Sequence, residues 1–168
     1  KDMIASVLSE KFCVLKSREN FNNEIGLPLT LFDLDQRHEL GVVEMGMRGL
    51  GEIRRLAETV RPDAGVITNI GISHIERLQS KKNIAKAKLE LFEAMGSDAI
   101  AIMNGDSPQL WEARNTLSLN TVYFGTERGD IKAGGIASKG QEGMEFDICG
   151  KYGKGHFRIS LPGLHNVY

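Results

Sequence analysis

The chain has little that would suit it to an extracellular or membrane setting. Its 168 residues include only two cysteines, Cys13 and Cys149, far apart and in no C-x-x-C pattern. That spacing excludes a disulfide framework and a zinc ribbon, and it favours reduced, structural thiols. No apolar run reaches the length of a membrane-spanning helix, and the sequence shows no signal-peptide pattern. Lys+Arg number 21 against Asp+Glu 22, a formal net charge of -1, which excludes binding to nucleic acid through bulk positive charge. There is no internal repeat, no low-complexity linker and no serine–histidine–acid order of the kind hydrolases carry. With 41% hydrophobic residues the chain has material for one well-buried domain, so the expectation is a soluble, intracellular, globular protein.

Up to Gly125 the pattern alternates between strand and helix. Asp2 to Glu10 reads as a helix, Phe12 to Leu15 as a short strand, and 17–24 as a polar loop. Pro28 is placed near the first turn of a helix reaching about Leu34. Glu39 to Met45 is a strand, and Gly51 to Val60 a helix stopped by Arg61-Pro62. Ala64 to Thr68 is a strand, followed by a loop to Ser80, which is suited to cap a helix. Asp98 to Met103 is a buried strand, Pro108 to Leu117 a helix and Thr121 to Phe124 a strand. Apolar strands alternating with helices predict an α/β fold, a mostly parallel sheet flanked by helices on both faces. After Gly125 three strand-like runs, 131–137, 143–149 and 155–161, follow without helices, which predicts a small antiparallel β meander. The organisation expected is a single domain over 1–168: an α/β core to 125, the β extension over 126–161, and the start of a helix at 162–168. Position 1 is Lys and the first helix reads as already under way, so the chain is expected to be truncated at both ends.

Within 81–95 the helical period is clear. At roughly 100° per residue, Ile84, Ala85, Leu91, Phe92 and Met95 share one stripe, and Lys88 projects from its centre. Lys82, Lys86, Glu90 and Glu93 fall on the opposite side, where solvated charges are expected. A buried ammonium tends to lose its proton, find a partner or do chemistry, although the same lysine could snorkel to the surface.

Ligands of parallel sheets gather beyond the C-terminal ends of the strands, and three polar clusters fall there. Glu44, in V-V-E-M-G, is a carboxylate of the kind that holds Mg²⁺ together with substrate phosphates, or else a loop contact. Thr68-Asn69-Ile-Gly-Ile-Ser-His74 puts a histidine on a Gly-containing loop, suited to a metal or an anion, or to plain surface. Asn104-Gly-Asp106 follows the strand ending at Met103 and reads first as a simple turn, or else as part of a ligand site. Asn22 and Asn23, before an apolar helix, suit either a cap or a ligand grip. Gly46-x-x-Gly49-x-Gly51 lacks the dinucleotide-binding spacing.

Taken in order, these segments resemble the central ATP-binding domain of the Mur ligases. The resemblance rests on F-N-N-E-I-G-L-P-L-T-L (21–31), V-V-E-M-G-M-x-x-x-G-E-I (42–53) and P-D-x-G-V-I-T-N-I-G-x-x-H-I-E (62–76). It continues through I-A-K-A-K-L-E-L-F (84–92), A-I-M-N-G-D (101–106) and P-G-L-H-N (162–166). The N-N-x-I-G-x-P-x-T and E-M-G forms favour the D-alanyl-D-alanine-adding branch. The resemblance implies a P-loop-type α/β fold and a cytoplasmic bacterial enzyme of peptidoglycan precursor synthesis, monomeric and not inserted in a membrane. It implies a ligase that uses ATP and Mg²⁺ to join D-alanyl-D-alanine to UDP-N-acetylmuramoyl-tripeptide through an acyl phosphate. By position in the motifs, Glu44 and His74 are implied as Mg²⁺ ligands, Asn166 as an adenine contact with Asn104 also on the nucleotide side, and Asn22 and Asn23 as substrate contacts. Lys88 matches the lysine that the family carbamylates.

The chain also departs from the family pattern. The Walker-type loop G-x-x-G-K-T-T is absent, so these residues are expected to fold yet catalyse nothing alone. Gln79 stands where glycine is expected before Ser80. The alternatives are another ligase of the same superfamily, adding diaminopimelate or lysine or building folylpolyglutamate, or a nucleotide-binding module without catalysis.

Overall fold

The computed structural model describes residues 1–72 and 75–168. Its elements follow the order α1 (Asp2–Ser9), β1 (Val14–Lys16), α2 (Gly26–Phe32), β2 (Leu40–Val42), α3 (Glu52–Val60), β3 (Ala64–Ile67), α4 (Ile75–Leu78), α5 (Lys81–Glu93), β4 (Ile100–Asn104), α6 (Pro108–Glu112), β5 (Asn120–Gly125), β6 (Ile131–Ser138), β7 (Met144–Gly150) and β8 (Gly153–Ile159). Strands β3, β4, β5 and β6 pair in parallel, and β6, β7 and β8 form the antiparallel meander. The α/β class and the C-terminal meander therefore stand as the pattern of apolar runs predicts. Pairing differs in one respect: β1 and β2 form a separate two-stranded parallel sheet, and the other six strands form the main sheet in the order β3-β4-β5-β6-β7-β8. Hydrophobic periodicity reveals strands but carries no information about which edges meet.

Local chemistry sets most of the boundaries. Ser80 is extended and its hydroxyl accepts the Asn83 N–H at 3.1 Å, starting α5 where a capping serine should. Asn23 Oδ1 accepts from both Ile25 N–H (3.0 Å) and Gly26 N–H (2.9 Å), so α2 begins two residues before Pro28. Helix α3 ends as Arg61 turns left-handed (φ 52) ahead of Pro62. Helix α6 stops at Glu112 and continues only as a 3-10 turn over Ala113–Asn115, shorter than its apolar pattern suggests. There the Thr116 hydroxyl donates to the Ala113 carbonyl at 2.8 Å, the kind of local side-chain bond that competes with helix continuation.

The core lies between the main sheet and helices α3 and α5. Ile53 and Ala57 of α3 and Ile84, Ala87, Leu91 and Phe92 of α5 pack with Ile67, Ala101, Met103 and Leu110. Gly65 lets α5 approach β3 closely: a Cβ at that position would stand 2.8 Å from Met95 Sδ and 3.0 Å from Leu91 Cδ2. Glu90 departs from the helical-wheel expectation. It is not on the solvated side but 6% exposed, drawn inward by a backbone group of α3's first turn.

Gln79, in the glycine position, adopts φ 64. Left-handed backbone costs an L-residue about 1 kcal/mol, and glycine adopts it freely. Replacing Gln79 with glycine should leave stability unchanged or raise it by up to about 1 kcal/mol, whereas Gln79→Val should lower it by at least that much. Urea unfolding midpoints of the two variants check both directions.

Candidate functional site

The residues beyond the strand ends form two hydrogen-bonded groups and one separate segment. The first surrounds Glu44, two residues past β2. Its N–H donates to the buried Ser17 hydroxyl at 3.1 Å, and Asn22 Nδ2 donates to its Oε1 at 2.9 Å. Gly46 N–H in turn donates to the Asn22 carbonyl at 2.6 Å. Asn22 and Glu44 are thus brought together. Asn23 is engaged differently, with its side-chain oxygen occupied by the start of α2. Ser17 was not singled out by sequence reasoning, although its place just past β1, at the same sheet edge as Glu44, marks it.

The second group holds the chain as it leaves β3. Lys88 Nζ donates to the Asn69 carbonyl at 2.7 Å, and Asn104 Nδ2 donates to the Thr68 carbonyl at 3.0 Å. Two consecutive carbonyls are therefore gripped, one from α5 and one from the end of β4. Asn104 is almost fully buried, and its Oδ1 accepts the Asp106 N–H at 2.9 Å, so both ends of its carboxamide are used within the protein. Lys88 is half-buried, neither snorkelled into solvent nor sealed off, and burial pushes its ammonium below the usual lysine range. His74, the other residue implied for this loop, lies outside the described residues.

The loop between Glu44 and α3 is fastened to α5. Gly51 N–H, at the start of α3, donates to both oxygens of Glu90 at 2.9 and 2.8 Å. Arg48 N–H donates to Glu52 Oε2 at 2.7 Å, and Arg54 pairs with Glu93. The negative charge of Glu90 therefore sits at the positive end of the α3 dipole. No local signal identifies Glu90, because its partner is 39 residues away.

The separate segment carries Asn166, on a 3-10 turn over Leu164–Asn166. Its Nδ2 donates to the Pro162 carbonyl at 2.9 Å. Among the described residues no hydrogen bond links it to Glu44 or Lys88; its neighbourhood is the end of β4, where Tyr168 reaches Asp106. Burial works against ionisation of Asp106. It is outweighed by the N–H groups of Thr126, Arg128 and Glu127 and by the Thr126 hydroxyl, which hold its pKa down to about 2.

The donor set suits a hard cation at Glu44. Among the described residues Glu44 receives one side-chain donor, on Oε1, and no group of three or more His, Cys, Asp or Glu could close a protein-only metal cage. The second oxygen of Glu44 is a hard donor of the kind Mg²⁺ would use, one carboxylate being completed by phosphates and water.

A mostly parallel sheet flanked by helices, with polar groups gathered past its C-terminal strand ends, defines the fold as an α/β domain. The chain belongs to the Mur ligase middle domain family, whose model matches residues 1–168. It is 42% identical, over 99% of its length, to UDP-N-acetylmuramoyl-tripeptide--D-alanyl-D-alanine ligase of Bacillus subtilis, and covers 35% of that protein. A crystal structure of MurF from Acinetobacter baumannii superposes with a TM-score of 0.93 at 30% identity, covering 99% of this chain and 37% of that one. MurF from Thermotoga maritima in complex with ADP superposes with a TM-score of 0.88 at 26% identity, over 99% of this chain and 40% of that one. The chain thus spans little more than a third of the length of these relatives.

Two outcomes follow from the geometry. Glu90→Ala leaves the Gly51 N–H without its partner and should destabilise the fold by about 1–3 kcal/mol, whereas Glu90→Gln, which keeps an acceptor, should lose less; denaturant titration separates the two. Asp106 is ionised more readily in the folded state (about 2) than at its ordinary value of 3.8, so its contribution is complete above pH 3.8 and disappears as pH falls through about 2. Asp106→Asn should therefore flatten the fall in stability across that acid window, as followed by circular dichroism during acid titration.

Proposed function

We propose that this chain supplies the nucleotide- and cation-handling part of a ligase that couples ATP hydrolysis to joining D-alanyl-D-alanine to UDP-N-acetylmuramoyl-tripeptide. The observations that carry the reading are a half-buried Lys88 held on the Asn69 carbonyl and, separately, a Glu44 carboxylate steadied by Asn22, in a chain of this family. The names of the relatives support the D-alanyl-D-alanine branch over diaminopimelate-adding, lysine-adding or folylpolyglutamate-forming ligases.

The roles divide as follows. Glu44, with His74 as second ligand, holds Mg²⁺, which when bound neutralises charge on the phosphates during transfer. Asn22 keeps the Glu44 carboxylate in place. Asn166 contacts the adenine, and Asn104 serves the nucleotide side indirectly by fixing the Thr68 carbonyl. Asn22 and Asn23 also face the UDP-substrate side. Lys88 becomes a carbamate. Its lowered pKa leaves more neutral amine at a given pH; the nitrogen bonds to the carbon of CO₂, a proton leaves, and the anion formed orients the cation site. The substrate carboxylate accepts the γ-phosphoryl group, and the amine of the dipeptide then displaces phosphate. Much of the rate in such chemistry comes from positioning and charge neutralisation. The enzyme acts in the cytoplasm as a monomer.

The test uses the whole ligase. Lys88→Ala should reduce phosphate release with tripeptide, ATP and D-alanyl-D-alanine by at least about a hundredfold, while its melting temperature stays close to the parent's. Undiminished turnover in that variant would return Lys88 to a structural role. Phosphate release driven by diaminopimelate or lysine rather than the dipeptide would reassign the branch.

A further inference from the structure

Strands β4 and β5 run in parallel with Asn104 beside Phe124, so the turns leaving both strands meet above one edge of the sheet. The turn after β4 carries Asp106, and residues 126–128 fold over it. Five donors converge on this carboxylate: Thr126 N–H (2.6 Å) and hydroxyl (2.9 Å), Glu127 N–H (3.1 Å), Arg128 N–H (2.8 Å) and the Tyr168 hydroxyl (3.1 Å). The approach depends on two positions without side chains. A Cβ at Gly105 or at Gly125 would stand 2.5 Å from the Arg128 carbonyl oxygen, and one at Gly125 also 2.8 Å from Asp106 Oδ1. Three successive N–H groups make a concavity for an anion, and here the protein fills it with its own carboxylate.

That arrangement would already hold the 126–128 turn without Tyr168. Yet Tyr168 bonds Asp106 and also lies 3.0 Å from Thr126 Oγ1. The other hydrogen bonds of the segment 162–168 are internal: Asn166 to Pro162 and His165 by side chain, and Asn166 to Gly163 and Val167 to Leu164 by backbone. Among the described residues, the tyrosine hydroxyl is therefore the one hydrogen-bonded tie between this mostly exposed segment and the edge of β4 and β5. It lies two residues beyond Asn166.

We infer that Asp106, together with Thr126 and Tyr168, is a positioning group for the nucleotide site, latching the Asn166 segment onto the β4–β5 edge. The inference rests on the reading of Asn166 as the adenine contact. Asp106 touches no substrate in this role; it acts through the placement of Asn166, so its influence should appear in nucleotide affinity rather than in the chemical step.

The decisive measurement is steady-state kinetics of the whole ligase with ATP varied. Tyr168→Phe removes the hydroxyl alone and should raise the KM for ATP roughly three- to tenfold, the worth of one hydrogen bond, with kcat and the KM for D-alanyl-D-alanine within about twofold of the parent. Thr126→Val should shift the same constant in the same direction, and Thr126→Ser should restore it. Asp106→Asn should give the largest rise; if that variant fails to fold, the Tyr168 and Thr126 variants still decide. A merely structural role would lower kcat or the melting temperature and leave the KM for ATP unchanged. The control is Asn166→Ala. If it raises the KM for ATP while Tyr168→Phe and Thr126→Val do not, the latch is overturned and the base contact stands. If Asn166→Ala itself leaves that KM unchanged, the reading of Asn166 is overturned and the latch with it.

Discussion

Helix α5 rests on the backbone of β3 because residue 65 has no side chain, and Leu91, Phe92 and Met95 occupy the space that a Cβ would claim. This contact fixes the helix against the strand, and the direction of each element does the rest. Lys88 stands about one turn before Leu91 on α5, and Asn69 follows two residues after the end of β3. The two meet where Lys88 Nζ finds the Asn69 carbonyl. Seating of the apolar stripe thus decides where the one cationic member of that stripe arrives, and half-burial of the ammonium follows from packing rather than from any preference of the lysine itself.

The same helix carries the other half of the arrangement. Glu90, two residues beyond Lys88, faces α3 and fixes its first N–H, so the loop descending from Glu44 is tied to the helix that presents Lys88. Glu44 on one element and Lys88 on another stay in register because a buried carboxylate and an apolar seam join their supports. Burial of that charge is tolerated because a backbone donor and the positive end of a helix face it.

Much of this was legible in the residues. The alternation of apolar strands with helices, the Ser80 cap, the stop at Arg61-Pro62 and the helix-free run after Gly125 each follow from local chemistry and appear as expected. The stripe of Ile84, Ala85, Leu91, Phe92 and Met95 is the buried face. What stayed hidden needed partners distant in sequence. Glu90 belongs to the charged side of α5 until the start of α3 packs over it. The division of the strands into two sheets depends on pairing, about which periodicity is silent. Helix α4 is a single turn, too short to carry a pattern. At the site, the structure uses Asn23 as the cap of α2 and turns Asn22 to Glu44, a partner 22 positions away. Asp106 looked like an ordinary turn residue because the groups it binds lie 20 to 62 positions further along the chain.

A competition for charge is resolved along the C-terminal edge of the strands. Among the carboxylates there are Glu44, past β2, and Asp106, past β4. A carboxylate offers about four lone-pair directions, and those of Asp106 are met by five donors from its own chain. Its anion is internally quenched and has nothing left with which to court a metal. Glu44, with one side-chain donor among the described residues, keeps its second oxygen uncommitted. Of these two acids, one is silenced by its own chain and the other, among the described residues, is left open.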